Sequence, residues 1–337
     1  MTRRVDASNA FLAANGWGQA VRQFLAGDAS DRSYDRLTRG DETAVLMDAP
    51  PGSADDTGAF VSVAAHLRGI GLSAPEVLAQ DLAQGFLLIE DLGDALFARV
   101  LETSAQQEAG LYHAAADVLV RVQAQPAPVG LPDLTAADWA QAAVFALDWY
   151  VYAATGHRPD PARFVQTLTD ALTTHADGPR VLILRDYHAE NLLHLPHRTG
   201  VAAVGLLDFQ LAQMGQPGYD LVSLLQDARR DVSPEVAASV TAYFADATGR
   251  DLPGFEASCA VLGAQRSLRI LGIFARLCLV GGKPGYLKLM PRVWRQLQIN
   301  LSHPALADLR AVCDGLLPAP TDTVLQKIGD QCASPTP

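Results

Sequence analysis

The first ninety residues alternate short apolar runs with polar turn sequences. The segment Asp6–Phe24 has helical spacing and begins at a possible cap, Asp6 or Ser8. After it, apolar runs of strand length occur in two pairs, and a turn separates the members of each pair, as in antiparallel hairpins. A helical stretch lies between the pairs. The predicted strands are Ser33–Thr38, Thr43–Met47, Val77–Asp81 and Gly85–Glu90, and the helix between them is Gly58–Gly69.

Beyond Gly93 the apolar spacing becomes mainly helical. A sheet-rich lobe of residues 1–91, followed by a mostly helical lobe of residues 92–337, gives an α+β fold, and a length of 337 residues suits two domains. The predicted helices are Leu96–Leu101, Ser104–Gln123, Ala136–Thr155, Pro161–His175, Tyr219–Asp227, Pro234–Thr248 and Gly254–Gly281.

One segment of the second lobe has strand character instead. The runs Val181–Leu184 and Val201–Leu207 are short and rich in apolar residues, and the turn sequence Pro196–Gly200 lies between them, so we predict that they pair as a hairpin. Asp186 leaves the first run and Asp208 ends the second. Asn191 comes five residues after Asp186, and a loop of that length can bring its side chain back toward Asp208.

Two carboxylates and an amide that converge in this way suit phosphoryl transfer. Mg²⁺ takes hard oxygen ligands, usually one or two carboxylates together with phosphate oxygens, and a further carboxylate must accept the proton of the attacking hydroxyl. Asp186 fits the role of base, and Asn191 and Asp208 fit the role of metal ligands. The alternative is that all three residues only shape turns, as Asp and Asn often do.

The same residues carry a resemblance to a known family. Asp186, His188 and Asn191 match the H-x-D-x-H-x-x-N loop of the aminoglycoside phosphotransferase and choline kinase superfamily, and Leu184 stands where the first His of that pattern is expected. Longer stretches resemble the anomeric N-acetylmuramate and N-acetylglucosamine kinases of bacterial cell-wall recycling. They are AGDASDRSYDRL, AVLMDAPP, APEVLAQDLAQGFLLIEDLG and DFQLAQMGQPGYDLVSLLQDARR.

The resemblance implies a protein-kinase-like fold with a small antiparallel-sheet lobe, and ATP and Mg²⁺ as cofactors. It also implies phosphorylation of a sugar, at the anomeric hydroxyl, in peptidoglycan recycling. Adenine would be bound by the backbone carbonyl of Glu90 and the N–H of Leu92, although an ordinary apolar strand with a polar exit would have the same sequence. Asp91 is also a possible cap of the next helix.

The phosphate loop of such a kinase would lie at Ala26–Tyr34. Ser30 and Ser33 leave backbone N–H groups accessible to phosphate, and Arg32 could add a charge-assisted bond, but the stretch could equally be an ordinary polar hairpin entry. Most kinases carry a phosphate-binding Lys on the third strand, where this chain has Met47. Arg32, Arg36 or additional Mg²⁺ coordination could compensate for that Lys.

Other residues near the catalytic segment have less specific roles. His188 is expected to support the loop, because Asp186 already supplies the proton acceptor. The resemblance implies that Asp220 braces the loop, although it could equally be the N-cap of a helix. Residues that could contact the sugar, or lie on the surface, are Tyr187, Glu190, Gln210 and Arg229.

Composition limits the partners. The formal net charge is −11, which argues against nucleic acid or an anionic membrane, and no window is apolar and long enough to span a bilayer. The four cysteines have no metal-binding spacing and are interpreted as reduced thiols. The N-terminus has no secretory signal pattern, so we expect a cytoplasmic protein. The resemblance implies a small-molecule sugar as its substrate. The sequence does not indicate an oligomeric state.

Three other functions stay open at this point. The first is a kinase of a different acceptor, such as an aminoglycoside, choline or homoserine. The second is a nucleotide-binding pseudokinase, which the departures at Met47 and Leu184 would permit. The third is a structural protein without a nucleotide site.

Overall fold

The computed structural model describes residues 4–27, 32–52 and 57–333. The chain divides into two compact units, of which the first contains residues 1–129 and 184–212 and the second contains residues 130–183 and 213–337. The predicted lobe boundary between residues 91 and 92 stays a prediction.

The first unit contains a five-stranded antiparallel sheet, several helices and one small hairpin. Its helices are α1 (Val5–Ala14), α2 (Thr57–Gly69), α3 (Phe97–Thr103) and α4 (Glu108–Gln123). The sheet contains β1 (Val21–Gly27), β2 (Ser33–Arg39), β3 (Glu42–Asp48), β4 (Val77–Asp81) and β5 (Phe86–Glu90), in the order β1-β2-β3-β5-β4.

One face of this sheet packs against α1. Neighbouring side chains of a strand point to opposite faces, and alternate apolar residues of β3 and β5, with one residue of β2, belong to a shared core with α1. That core contains Phe11, Leu12, Trp17, Leu37, Ala44, Leu46, Phe86 and Leu88. Burial of these side chains fixes the register of the central strands, because a shift by one residue would turn them to the other face.

The prediction of a single helix over Asp6–Phe24 is wrong. Helix α1 ends at Ala14, Gly16 follows with a φ of +79°, and the residues from Val21 onward form strand β1. A positive φ suits glycine and terminates the helix. Strand β1 then pairs with β2, so tertiary pairing overrides the helical spacing of this segment.

The predicted pairing of the catalytic segment is also wrong. A short strand, β7 (Leu192–His194), follows the loop and pairs with β8 (Val204–Leu206), while the run at residue 181 has a different partner. The turn predicted at Pro196–Gly200 connects β7 and β8. The catalytic segment therefore contains a tighter hairpin than predicted, which begins directly after Asn191.

The second unit is mainly helical. Its helices are α5 (Ala136–Ala143), α6 (Tyr152–Thr155), α7 (Ala162–His175), α8 (Tyr219–Leu225), α9 (Pro234–Ala247), α10 (Leu252–Leu279), α11 (Met290–Leu301), α12 (Ala307–Leu316) and α13 (Asp322–Gly329). A π-helical turn, Ala146–Val151, lies before α6, and β6 (Val181–Ile183) pairs with β9 (Gln213–Gly215).

Helix α10 forms the centre of this unit's core. Leu268, Leu271, Ala275 and Cys278 on α10 are fully buried within the same apolar cluster as residues of the other helices. The four cysteines are free thiols, as predicted. Within the described ranges, none of the helices has the length and apolar content needed to cross a bilayer.

Candidate active site

Residues 184–191 form the predicted catalytic loop, and Asn191 closes it. The Asn191 side-chain Nδ2 donates a hydrogen bond of 2.8 Å to the Asp186 carbonyl, and the Asn191 backbone N–H donates to the His188 carbonyl at 2.8 Å. The Asp186 N–H in turn bonds the Leu184 carbonyl at 3.0 Å. Two of these bonds use the backbone of Asp186 and hold it in the loop.

The β7–β8 hairpin brings Asn191 beside the segment that carries Asp208. Leu192 pairs with Leu206, and one residue further out the Leu207 N–H donates to the Asn191 carbonyl at 2.9 Å. Asp208 follows with a φ of +57°. Asp tolerates this left-handed conformation better than most residues, and such conformations are concentrated at functional sites.

The Asp208 carboxylate has two partners in the first unit. Its Oδ1 lies 3.2 Å from a terminal guanidinium nitrogen of Arg32, and the same oxygen accepts a hydrogen bond of 2.7 Å from Gln210 Nε2. Arg32 and Gln210 are 5% and 6% exposed. The structure therefore joins a residue of the predicted phosphate loop to a predicted metal ligand, and Gln210 supports that ligand.

The residues at this position fit a magnesium ion. Because the Asn191 amide uses its NH₂ group on the Asp186 carbonyl, its Oδ1 is the atom that can face a cation. The Asp208 side chain is 32% exposed, so its carboxylate is accessible. Across the described ranges, no three His, Cys, Asp or Glu side chains form a cluster that could hold a metal. One carboxylate and one amide, completed by phosphate oxygens, is the pattern that Mg²⁺ takes with nucleotides.

His188 and Tyr187 are buried in the loop. The His188 Nε2 lies 3.4 Å from Asn191 Nδ2, and the Tyr187 hydroxyl donates to the Ala115 carbonyl on α4 at 2.8 Å. Both contacts favour a supporting role over contact with a sugar. Asp220 is fully buried in the first turn of α8, whose N-cap position is Gly218, so the alternative that Asp220 is the N-cap is wrong.

Ion pairs brace the predicted adenine-binding segment on one side. The Glu90 carboxylate pairs with Arg198 from the β7–β8 turn and with Arg68 at the end of α2, the latter at 3.4 Å. Its Oε2 also accepts the Glu76 N–H at 3.2 Å. The Glu90 side chain is thus fully engaged, which leaves the predicted recognition to the backbone of residues 90–92.

A second set of ion pairs braces the residues that follow. Arg36 on β2 contacts the Asp91 carboxylate at 2.7 Å and the Asp94 carboxylate at 2.6 Å, and Asp91 also accepts the Gly93 N–H at 3.0 Å. The hydrogen bond to Asp94 is the main cause of a raised pKa of Arg36, and the same contact lowers the pKa of Asp94. Asp91 therefore does not cap α3, which begins at Phe97 after an N-cap at Leu96.

The remaining predicted site residues lie at the start of β2 or on the surface. Ser33 begins β2 and pairs with Asp48, while Glu190 and Arg229 are exposed. Ser30 lies outside the described residues. A contact that the sequence did not indicate is the stacking of Phe209 on Phe60 of α2, with ring centroids 4.9 Å apart. It packs the residue next to Asp208 against a helix.

The comparison with protein families decides the classification of this chain. A model of the phosphotransferase enzyme family, called APH, matches residues 21–255, which include both the sheet of the first unit and the catalytic loop. The chain belongs to the APH family. The predicted family resemblance and the prediction of a phosphotransferase are thereby confirmed.

Relatives of this APH protein are similar over nearly all of its length. It is 41% identical to an N-acetylmuramate/N-acetylglucosamine kinase of Caulobacter vibrioides, over 95% of this chain and 98% of that protein. It is 36% identical to the protein of the same name in Pseudomonas aeruginosa, over 88% of this chain and 89% of that protein.

Solved structures confirm the predicted fold class. A choline/ethanolamine kinase family protein from Mesorhizobium loti has a TM-score of 0.63 at 16% identity, with 97% of this chain and 99% of that chain covered. At this identity the likeness concerns the fold alone.

Proposed function

We propose that this APH protein transfers the γ-phosphoryl group of ATP to the anomeric hydroxyl of N-acetylmuramate, N-acetylglucosamine or both, as a step of peptidoglycan recycling. The phosphoryl-transfer part is supported by the β7–β8 hairpin, which begins directly after Asn191, and by the hydrogen bond from the N–H of Leu207, the neighbour of Asp208, to the Asn191 carbonyl. The names of the two relatives support the acceptor.

Asp186 would act as the general base. An anomeric hydroxyl is more acidic than other sugar hydroxyls because of the adjacent ring oxygen, so an ordinary carboxylate suffices to orient it and accept its proton. The Asn191 bond to the Asp186 carbonyl holds this residue in place. Most of the acceleration would come from positioning and charge neutralisation.

Asn191 Oδ1 and the Asp208 carboxylate would hold Mg²⁺. A magnesium ion bound there supplies positive charge to the phosphate oxygens. Gln210 would keep the Asp208 carboxylate oriented through its 2.7 Å hydrogen bond, and His188 would support the loop.

The nucleotide would bind to the first unit. The Glu90 carbonyl and the Leu92 N–H would contact adenine, and the ion pairs of Glu90 and of Asp91 would keep this backbone in place. Ser30, Arg32 and Ser33 would lie at the phosphates. We further propose that Glu190, which is exposed, contacts the small sugar substrate. We also propose that the protein works in the cytoplasm, where ATP is available.

Phosphorus NMR of the reaction product tests the proposal. The protein is incubated with Mg-ATP and either N-acetylglucosamine or N-acetylmuramate, and proton-coupled spectra are recorded. A phosphate on the anomeric oxygen is split by the single proton on C1, whereas a phosphate on O6 is split by the pair of protons on C6. We expect the first pattern.

A panel of other acceptors separates the alternatives. Phosphorylation of an aminoglycoside, choline or homoserine, with no amino-sugar product, would replace the proposed substrate. Thermal stabilisation by Mg-ATP without turnover of any acceptor would indicate a pseudokinase instead.

A further inference from the structure

The sheet of the first unit has a second face, opposite to α1, and Met47 lies on it. Leu46 belongs to the core with α1, so its neighbour Met47 points the other way. Directly paired residues of an antiparallel sheet share a face. Met47 pairs with Tyr34 on β2, the next β2 residue on this face is Arg36, and Arg32 directly precedes the strand.

Arg36 already has two carboxylate partners outside the predicted phosphate loop. Its guanidinium contacts both Asp91 and Asp94, and their effect is to raise its pKa. The other arginines on β1 and β2 are also paired with carboxylates other than Asp208. These pairs are Arg22 with Asp35 at 2.6 Å, and Arg39 with Glu42.

Arg32 differs from these arginines in its position and its partner. It directly precedes β2, it is 5% exposed, and its guanidinium lies 3.2 Å from Asp208 Oδ1. A buried cation is costly unless a carboxylate or phosphate compensates it. The Asp208 carboxylate does so here, and in the proposed reaction that same carboxylate is needed as a ligand of Mg²⁺.

We propose that Arg32 takes over the role of the lysine that Met47 replaces on β3. In the free protein Arg32 neutralises Asp208. When Mg-ATP binds, Asp208 exchanges Arg32 for the metal, and the guanidinium contacts phosphate oxygens of the nucleotide, for which its fork of N–H donors is suited. This inference rests on the proposed kinase function, and it makes Arg32 a nucleotide-binding residue whose contribution depends on the phosphates.

Binding measurements with two ligands test the inference. The dissociation constants of Mg-ATP and of adenosine are measured by competition calorimetry for the wild type, Arg32→Gln and Arg32→Lys. Arg39→Gln is the matched control, because Arg39 is an exposed arginine of β2 that pairs with Glu42. Loss of a charge-assisted hydrogen bond predicts Mg-ATP binding about 10 to 100 times weaker in Arg32→Gln. Adenosine binding should change less than about twofold, and Arg32→Lys should recover part of the loss.

Two results would overturn this role of Arg32. One is Mg-ATP binding in Arg32→Gln that is as tight as in Arg39→Gln. The other is an equal loss for adenosine and Mg-ATP in both Arg32 variants, which would indicate that Arg32 only supports the fold. Failure of the proposed function is distinguishable from failure of this role. A wild type that phosphorylates no amino sugar would refute the proposed function, but the affinities for Mg-ATP and adenosine could still be compared.

Discussion

Replacement of Asp186 by Asn separates chemistry from structure in the catalytic loop. Two bonds within the loop use the backbone of this residue, since the Asn191 Nδ2 donates to the Asp186 carbonyl and the Asp186 N–H donates to the Leu184 carbonyl. An Asn side chain has the same shape and preserves both bonds. It lacks the negative charge that accepts a proton, so Asp186→Asn removes the proposed base with little change to the loop.

The expected decrease in kcat follows from the loss of this proton acceptor. General acid–base catalysis contributes about 10²- to 10⁴-fold, so kcat should fall by about 10²-fold or more, which corresponds to at least about 2.7 kcal/mol of activation free energy. The KM for ATP should stay within about threefold, because the proposed nucleotide contacts lie elsewhere. The free energy of unfolding should change by less than about 1 kcal/mol, because an Asn side chain has the size of Asp and the two backbone bonds remain.

Three measurements on the same protein check this prediction. ADP release at saturating N-acetylglucosamine gives kcat and the KM for ATP, urea titration gives the free energy of unfolding, and calorimetry gives the affinity for Mg-ATP. The matched control is Asp314→Asn, an exposed acid on α12 whose partner is Arg310. A variant Asp186→Asn with the turnover of the wild type would refute the assignment of the base. A loss of stability or ATP affinity as large as the loss of kcat would refute the claim that the substitution spares the loop.

Further predictions concern packing and pH. Phe60→Ala removes a buried ring stacked on Phe209 and should cost about 3–5 kcal/mol of unfolding free energy in urea titration, whereas a cost below about 1 kcal/mol would contradict this packing. Gly272→Ala would place a Cβ 2.2 Å from the Phe145 carbonyl oxygen, so we expect a loss of about 1–3 kcal/mol or more in thermal and urea unfolding, and an unchanged stability would refute the close approach. Burial raises the pKa of Asp227 above its value in the unfolded chain, so its favourable contribution is lost as the pH rises through the folded-state pKa. Asp227→Asn should therefore flatten the decline of unfolding free energy above about pH 4, and parallel pH profiles for variant and wild type would refute this.

Strands with local partners could be predicted from the sequence. The predicted strand Val77–Asp81 has the same bounds as β4, and the strand predicted at Gly85–Glu90 differs from β5 by one residue. Each has a hairpin partner a few residues away, so the turn and the apolar run identify both members. Strand β1 was missed because its partner β2 lies beyond a longer connection and the apolar spacing of Asp6–Phe24 also suits a helix.

The catalytic segment shows the same limit on a smaller scale. Strands β6 and β7 have three residues each, too few for a period to distinguish one partner from another. The sequence predicted one strand before Asp186 and another before Asp208. Only the structure shows that β7 pairs with β8 and that β6 pairs with β9. The Asn191 backbone nevertheless lies beside Leu207, the residue before Asp208, because the hairpin begins directly after Asn191 and its last strand residue is Leu206.

Contacts between distant residues had no signal in a single sequence. Arg198 reaches Glu90 over 108 positions, and Arg32 reaches Asp208 over 176. Neither arginine lies in a pattern that specifies a partner, since an arginine near a turn is usually a solvated charge. The sequence could propose Arg32 or Arg36 as a substitute for the missing lysine, but it could not choose between them.

The position of the Arg32 guanidinium also explains how β3 can carry a methionine. Met47 is 1% exposed, and a buried ammonium at this position would need a carboxylate or a phosphate as its partner in every state of the protein. Arg32 directly precedes β2, and its longer, planar side chain already has Asp208 as a partner. Arg32, directly before β2, can thus supply the positive charge. Position 47 can then hold an apolar side chain that stabilises the sheet. We therefore expect nucleotide affinity to depend on Arg32, directly before β2, and not on position 47 of β3, where most kinases carry a lysine.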